Sequence, residues 1–93
     1  MKKKGKAVVV TTAHRGVFFG YLKKELGNTV TLTDAKNCIS WTASVRGFIG
    51  LATTGPKVGC RIGPAADELK LHDVTSVITA TKDAEKAWSK EIW

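Results

Sequence analysis

The residues from Ala7 to Thr12 run Ala-Val-Val-Val-Thr-Thr, the least ambiguous stretch in the chain. Side chains branched at Cβ favour the pleated backbone. A short apolar run without alternation reads as a buried strand. Two more strands follow closely. Val17 to Lys23 divides into Val17, Phe19 and Tyr21 on one face and Phe18, Gly20 and Leu22 on the other. Both faces are largely apolar, so neither is simply open to water. Gly20 marks a bend or a close backbone approach. Thr29 to Thr33 alternates, with Val30 and Leu32 inward. His14-Arg15-Gly16 is a tight turn, and Glu25 to Asn28 carries turn chemistry. A meander from Ala7 to Asp34 is the expectation.

Cys38 to Thr42 is a further strand candidate. The period then changes. Val45, Phe48, Ile49 and Ala52 fall at helical spacing, and Gly55-Pro56 stops the helix. Thr42 or Ser44 could cap its start. Gly47 and Gly50 each cost roughly 1 kcal/mol relative to alanine there, which points to close packing or a ligand. Val58 to Ile62, Glu68 to His72 and Val74 to Thr79 read as strands. Thr81 caps a C-terminal helix through about Glu91, with Ala84, Ala87 and Trp88 on one stripe and Asp83 in the first turn. The expected fold class is α+β: a small, mostly antiparallel β-barrel or curled sheet with one short central helix and a C-terminal helix. Residues 1–6 form a disordered basic tail and residues 7–93 a single domain.

At 93 residues the chain holds one core. It buries only about 60–65% of its unfolded surface, so a homo-oligomer is expected. No apolar run approaches the ~20 residues that span a bilayer, and no membrane partner is expected. Ala7 to Val10 is too short for the apolar part of a signal peptide, which gives a cytoplasmic reading. Cys38 and Cys60 do not make a disulfide framework. Two small buried hydrophobes is the plain reading, and a disulfide is its competitor. The net charge of +7 is unevenly placed. Lys2, Lys3, Lys4, Lys6, Arg15, Lys23 and Lys24 precede the first acid, Glu25, and the remainder is balanced. This is either a solubilising tail or a footprint for phosphates.

Two resemblances bear on these residues. Gly16, Gly20 and Leu22, a turn, then Val30, Leu32, Asp34 and Ala35 resemble the first motif of Sm-like small β-barrels. Val74 to Ile78 resembles the closing strand of such barrels, which implies a barrel that contacts RNA. The second resemblance covers nearly the whole chain. Val8 to Thr12, His14 to Tyr21, Asp34, Ala35, Asn37, Cys38, Trp41, Arg46 to Pro56, Cys60 to Ile62, Ala84, Ala87 and Trp88 resemble a family of small uncharacterised proteins of tailed phages and prophages. That likeness implies a phage origin and the cytoplasm of a bacterial host. It carries over no catalytic or binding residues.

Enzyme chemistry is not expected. Cys38, His72 and Asp73 could be assembled into a triad on paper, but no spacing supports it. Cys38, Cys60, His14 and His72 have zinc-ligand chemistry without a paired-ligand motif, so no metal and no cofactor is expected. Thr54 to Gly59 lacks the Gly-Lys-Ser/Thr ending of a phosphate loop and reads as a connector. The candidate ligand-binding set is His14, Arg15, Trp41, Arg46, Phe48 and Arg61. Arginine is scarce, three against twelve lysines, and each arginine lies beside or near a glycine. Its planar fork suits phosphate, and a neighbouring glycine lets a ligand approach the backbone. Trp41, Phe48 and Tyr21 could stack a base. The alternative is that the aromatics are core and the arginines pair with Asp34, Asp67 or Asp73. The resulting expectation is a non-catalytic binding protein for a nucleotide or other phosphate-bearing ligand. Its most specific form is a phage counter-defence protein that sequesters a host cyclic-nucleotide signal. The alternatives are single-stranded nucleic-acid binding, or a protein that docks a host partner through Trp88, Ile92 and Trp93.

Overall fold

The computed structural model of the chain describes residues 5–13, 16–40, 47–56 and 60–89. Within them six strands and two helices occur in the order β1 (Ala7–Thr12), β2 (Val17–Leu26), β3 (Thr29–Ser40), α1 (Gly47–Thr53), β4 (Arg61–Ile62), β5 (Ala66–Leu71), β6 (Val74–Thr79) and α2 (Lys82–Ser89). The strands form one sheet in the order β4-β3-β2-β1-β6, with β5 also paired to β3. All pairings are antiparallel.

The connection between β5 and β6 explains the shape. Only His72 and Asp73 separate these strands, yet β5 pairs with β3 and β6 with β1, on opposite flanks of the meander. A two-residue link can join the two flanks only if the sheet curls strongly. The corner is tied on both sides: Val74 N–H donates to the Asn28 carbonyl and Ala13 N–H to the Asp73 carbonyl, each at 2.9 Å. Among the described residues no ladder joins β5 to β6. The sheet is therefore curled and open, not a closed barrel.

Curling gives β1 two buried faces. Val8 and Val10 point into the concave side with Val30, Leu32, Ala35 and Leu71. Ala7 and Val9 point to the convex side, among Phe19, Tyr21, Leu51, Ala84 and Trp88 beneath the two helices. The apolar run needs no alternation because both sides are covered. Burying each of these valines contributes on the order of 1.5–3 kcal/mol relative to exposure. β2 splits as its sequence predicts, with Phe19 and Tyr21 under the helices and Phe18 and Leu22 toward the concave side. Gly20 sits where the β2–β3 register shifts, and a Cβ there would lie 2.8 Å from Leu32 Cβ and 3.3 Å from Ala35 Cα.

Three expectations need correction. The strands expected at Thr29–Thr33 and Cys38–Thr42 are one continuous strand from Thr29 to Ser40. Asp34 adopts a left-handed conformation (φ 48°) within it, which offsets the alternation without ending the strand. The α1 stripe also differs. Leu51 and Ala52 are buried, while Ile49 is 56% exposed. A seven-residue helix has only two turns, so its orientation is set by what holds its end rather than by its periodicity. That end is held completely. Gly50 O accepts the Thr54 and Gly55 N–H groups, Leu51 O accepts Trp88 Nε1–H at 3.0 Å, Ala52 O accepts Thr81 N–H, and Thr53 O accepts the Thr81 hydroxyl. All four orphan carbonyls of the helix terminus are thus satisfied. Gly55, at φ 82°, ends the helix as expected. Trp88 is the third correction. It is fully buried and stacks on Phe19 at 5.1 Å, so it belongs to the core and not to a docking patch. Ile92 and Trp93 lie outside the described residues, as do the proposed helix caps Thr42 and Ser44. The Thr81 cap of α2 is present, its hydroxyl accepting the Ala84 N–H at 3.1 Å.

Candidate functional site

Strand register brings three chain segments to one end of the sheet. Phe18 stands opposite Asn37, so the start of β2 at Val17, with Gly16 before it, runs alongside the end of β3. On the other side of β3, Cys38 stands opposite Ile62 and Ser40 opposite Arg61. Gly16 and Arg61 therefore flank the last residues of β3 from its two sides. The Gly16 N–H donates to the Thr12 hydroxyl at 3.1 Å, and a Cβ on Gly16 would lie 2.6 Å from the Phe18 ring. A side chain at Gly16 would have to displace the Phe18 ring and the Thr12 hydroxyl.

The two faces of this end differ. Cys38 and Ile62 point under the helices and are buried. Alternation sends Ile39, Arg61 and Gly63 to the other face. Ile39 is 60% exposed and Arg61 is exposed. The Gly63 N–H donates to the Asn37 carbonyl at 2.8 Å, which holds the chain after β4 against β3. Ile39 Cδ1 lies 3.9 Å from where a Gly63 Cβ would be. The result is a small open platform: a guanidinium, an aliphatic side chain and a bare stretch of backbone. No described carboxylate forms an ion pair with Arg61, so the expected pairing with Asp34, Asp67 or Asp73 does not hold for this arginine.

Of the residues singled out in the sequence, Arg61 is placed directly. His14, Arg15, Trp41 and Arg46 lie outside the described residues, and of Phe48 only the helical backbone is described. Among the described residues, Gly16 and the backbone of Ser40 lie at the same end of the sheet as Arg61. Tyr21 is not available to stack a base. It is buried against Phe19, and its hydroxyl donates to Glu85 Oε2 at 2.8 Å. Burial, then the Glu85 carboxylate, pushes its phenol up to about 12. Gly63 stands out in the sequence as the glycine near Arg61, whereas Ile39 does not; its signal is alternation from a buried Cys38.

The other constellations do not assemble. Cys38 is buried beneath the helices, and burial, with Cys60 nearby, pushes its thiol up to about 12. His72 is exposed at the β5–β6 corner, and no hydrogen bond joins it to Cys38. Both cysteines are buried, and no disulfide joins them. Among the described residues no three His, Cys, Asp or Glu side chains converge as metal ligands. Gly55, within the glycine-rich connector, packs on α2, where a Cβ would meet Ala87 Cβ at 2.5 Å. Among the described residues no helix is long and apolar enough to cross a membrane.

No curated protein and no solved structure matches the chain. One family model does, over residues 5–88, which takes in every described strand and nearly all of α2. The chain therefore belongs to the family described as a domain of unknown function, DUF6948.

Proposed function

We propose that this chain is a non-catalytic binding module for a phosphate-bearing ligand, held at the end of the sheet where Gly16, Ser40 and Arg61 meet. The observation that carries this reading is Arg61: exposed, without a described carboxylate partner, and beside exposed Ile39 and the backbone at Gly63. An unpaired guanidinium can take two phosphate oxygens in a bidentate fork. Ile39 can cover the apolar face of a base or sugar. His14, Arg15, Trp41, Arg46 and Phe48, singled out by residue type in the sequence, are the further side chains on which this reading draws. In its narrowest form the ligand is a cyclic nucleotide, and the chain, as an oligomer, is a phage-borne sponge that lowers the free concentration of a host signal.

The test is a thermal-shift series on the purified chain with mononucleotides, cyclic dinucleotides and inorganic phosphate, with native mass measurement for the oligomer and any retained ligand. A binder raises the melting temperature by mass action. Arg61→Ala should leave the unliganded melting temperature unchanged and weaken binding roughly 10- to 100-fold, the loss expected for a charged hydrogen bond. A flat response across the series would refute the reading.

A further inference from the structure

One side of β5 pairs with β3, and among the described residues no strand pairs with its other side. The strand reads Ala-Asp-Glu-Leu-Lys-Leu and carries charges of both signs. Glu68 stands opposite Thr33 and Lys70 opposite Thr31, so alternation puts both on one face of the sheet. Asp67, Glu68 and Lys70 are exposed. The other face carries Leu69, partly buried against the cluster of Val30, Leu32 and Leu71. Open edges are commonly blunted by charge. An edge of one sign repels a copy of itself, but the β5 edge has both signs at alternate positions.

Backbone geometry limits how a second β5 can be laid on this edge. The N–H and C=O groups on the free side belong to every second residue. An antiparallel copy must match these groups with its own, so an outward-facing residue opposes an outward-facing one. Two registers near the middle of the strand satisfy this. One sets Glu68 against its own copy, which opposes like charges. The other sets Leu69 against its own copy, so that Glu68 opposes Lys70 of the second chain and Lys70 opposes its Glu68. Directly opposed side chains share a face and interact, and opposite charges there stabilise the pairing. Asp67 then falls opposite Leu71 and meets no like charge.

The surroundings favour the second register. Lys24 stands across Thr31 from Lys70 on the same face, and both lysines are exposed. Among the described residues no carboxylate forms an ion pair with Lys70. A Glu68 from a second copy supplies one. Lys23 lies 2.6 Å from Glu68 Oε1 and holds the carboxyl below its usual range, so the group is charged when a second lysine arrives. The opposite flank of the sheet has no equivalent, because β6 carries no charged residue from Val74 to Thr79.

We infer that two copies of this chain associate through β5, edge to edge and antiparallel about a two-fold axis at Leu69, with a Glu68–Lys70 pair on each side of the axis. The contact uses the same patch on both copies and therefore closes at two. It joins the two sheets into one through β3 and β5 of each copy. On the face away from the charges the two Leu69 side chains meet at the axis. Pro64 has no N–H to give, which ends the usable edge before β4. The contact identifies which surface makes the oligomer, and it needs neither Arg61 nor a ligand.

Sedimentation velocity of the full chain without nucleotide, from micromolar to millimolar concentration, tests it. The unaltered chain should show a monomer–dimer equilibrium and nothing larger. Glu68→Lys, and separately Lys70→Glu, turns both opposite-charge pairs into like-charge pairs. Each should weaken dimerisation roughly 10-fold or more. An equimolar mixture of the two variants should dimerise more tightly than either alone, because in the mixed dimer every lysine at these positions opposes a glutamate. Both positions are exposed, and circular dichroism melting checks that each variant still folds. Arg61→Ala should leave the equilibrium unchanged, so failure here and failure of the Arg61 platform are distinguishable. A monomer at every concentration, a larger ring, or a dimer indifferent to the single changes in folded variants would overturn the inference. So would a mixture that associates no better than its components.

Discussion

The indole N–H of Trp88 donates to the carbonyl of Leu51 at 3.0 Å, within the packing that also sets the ring flat against Phe19. One side chain therefore caps α1, anchors α2 and fills the space over β2. Replacing it separates these roles. Trp88→Phe keeps an aromatic ring on Phe19 but leaves a buried carbonyl unpaired and a void behind it. The expected loss is about 2–3 kcal/mol. Trp88→Ala should cost about 3–5 kcal/mol. Chemical denaturation of the three proteins checks the order, and a Trp88→Phe variant as stable as the parent would show that the hydrogen bond contributes nothing.

Tyr21 makes stability depend on pH in the alkaline range. Its phenol is pushed up to about 12 from an ordinary 10.0. Below pH 10 the phenol is protonated in both folded and unfolded chains, and its full contribution is present. Between about 10 and about 12 the unfolded chain loses the proton while the folded chain retains it. Stability therefore falls as pH rises through that window. Tyr21→Phe should flatten this dependence and cost roughly 1–2 kcal/mol at neutral pH through loss of the bond to Glu85. Ultraviolet titration of the folded chain should show its single tyrosine ionising well above 10.

Gly20→Ala should destabilise the fold by roughly 1–3 kcal/mol through overpacking. The added methyl would meet the Leu32 side chain and the backbone at Ala35, and the backbone cannot turn aside. For a domain of this size each kcal/mol lowers the melting temperature by about 4–8 °C. An unchanged midpoint in differential scanning calorimetry would mean that β2 and β3 are farther apart than the structure places them.

Both thiols should resist reagents while the chain is folded. Cys38 is 4% and Cys60 7% exposed, and the Cys38 thiol at about 12 yields little thiolate at pH 8. Modification by an aromatic disulfide should be slow in buffer and rapid, at both positions, in denaturant. Rapid reaction in buffer would contradict the burial.

β1, β2, β6 and α2 were legible because each is specified locally. A valine run, a two-faced apolar strand, a β-branched strand and a threonine-capped amphipathic helix each point to one structure. β3 was less legible. Leu32 and Ala35 are both buried, three positions apart, which no strand period produces. Only the left-handed backbone at Asp34 makes that spacing compatible with a strand. The placement of β5 on β3 and β6 on β1 was equally hidden, since a two-residue link ordinarily signals a hairpin. At the candidate site Arg61 stood out by residue type. Ile39 did not, because its exposure depends on which face the helices cover, and that is decided by Trp88 and Leu51 far along the chain.

The two-sided burial of β1 has a consequence for synthesis. Thr11 and its hydrogen-bond partner Thr75 are 64 residues apart in sequence, and the helix that shields Ala7 and Val9 comes later still. On the ribosome, β1, β2 and β3 emerge first, carrying apolar side chains on both faces and an unpaired edge on β1. They must wait, sticky on three sides, until β6 and α2 are made. Such intermediates are prone to aggregate. The lysine-rich arm that leads into β1 keeps this early product charged while it waits.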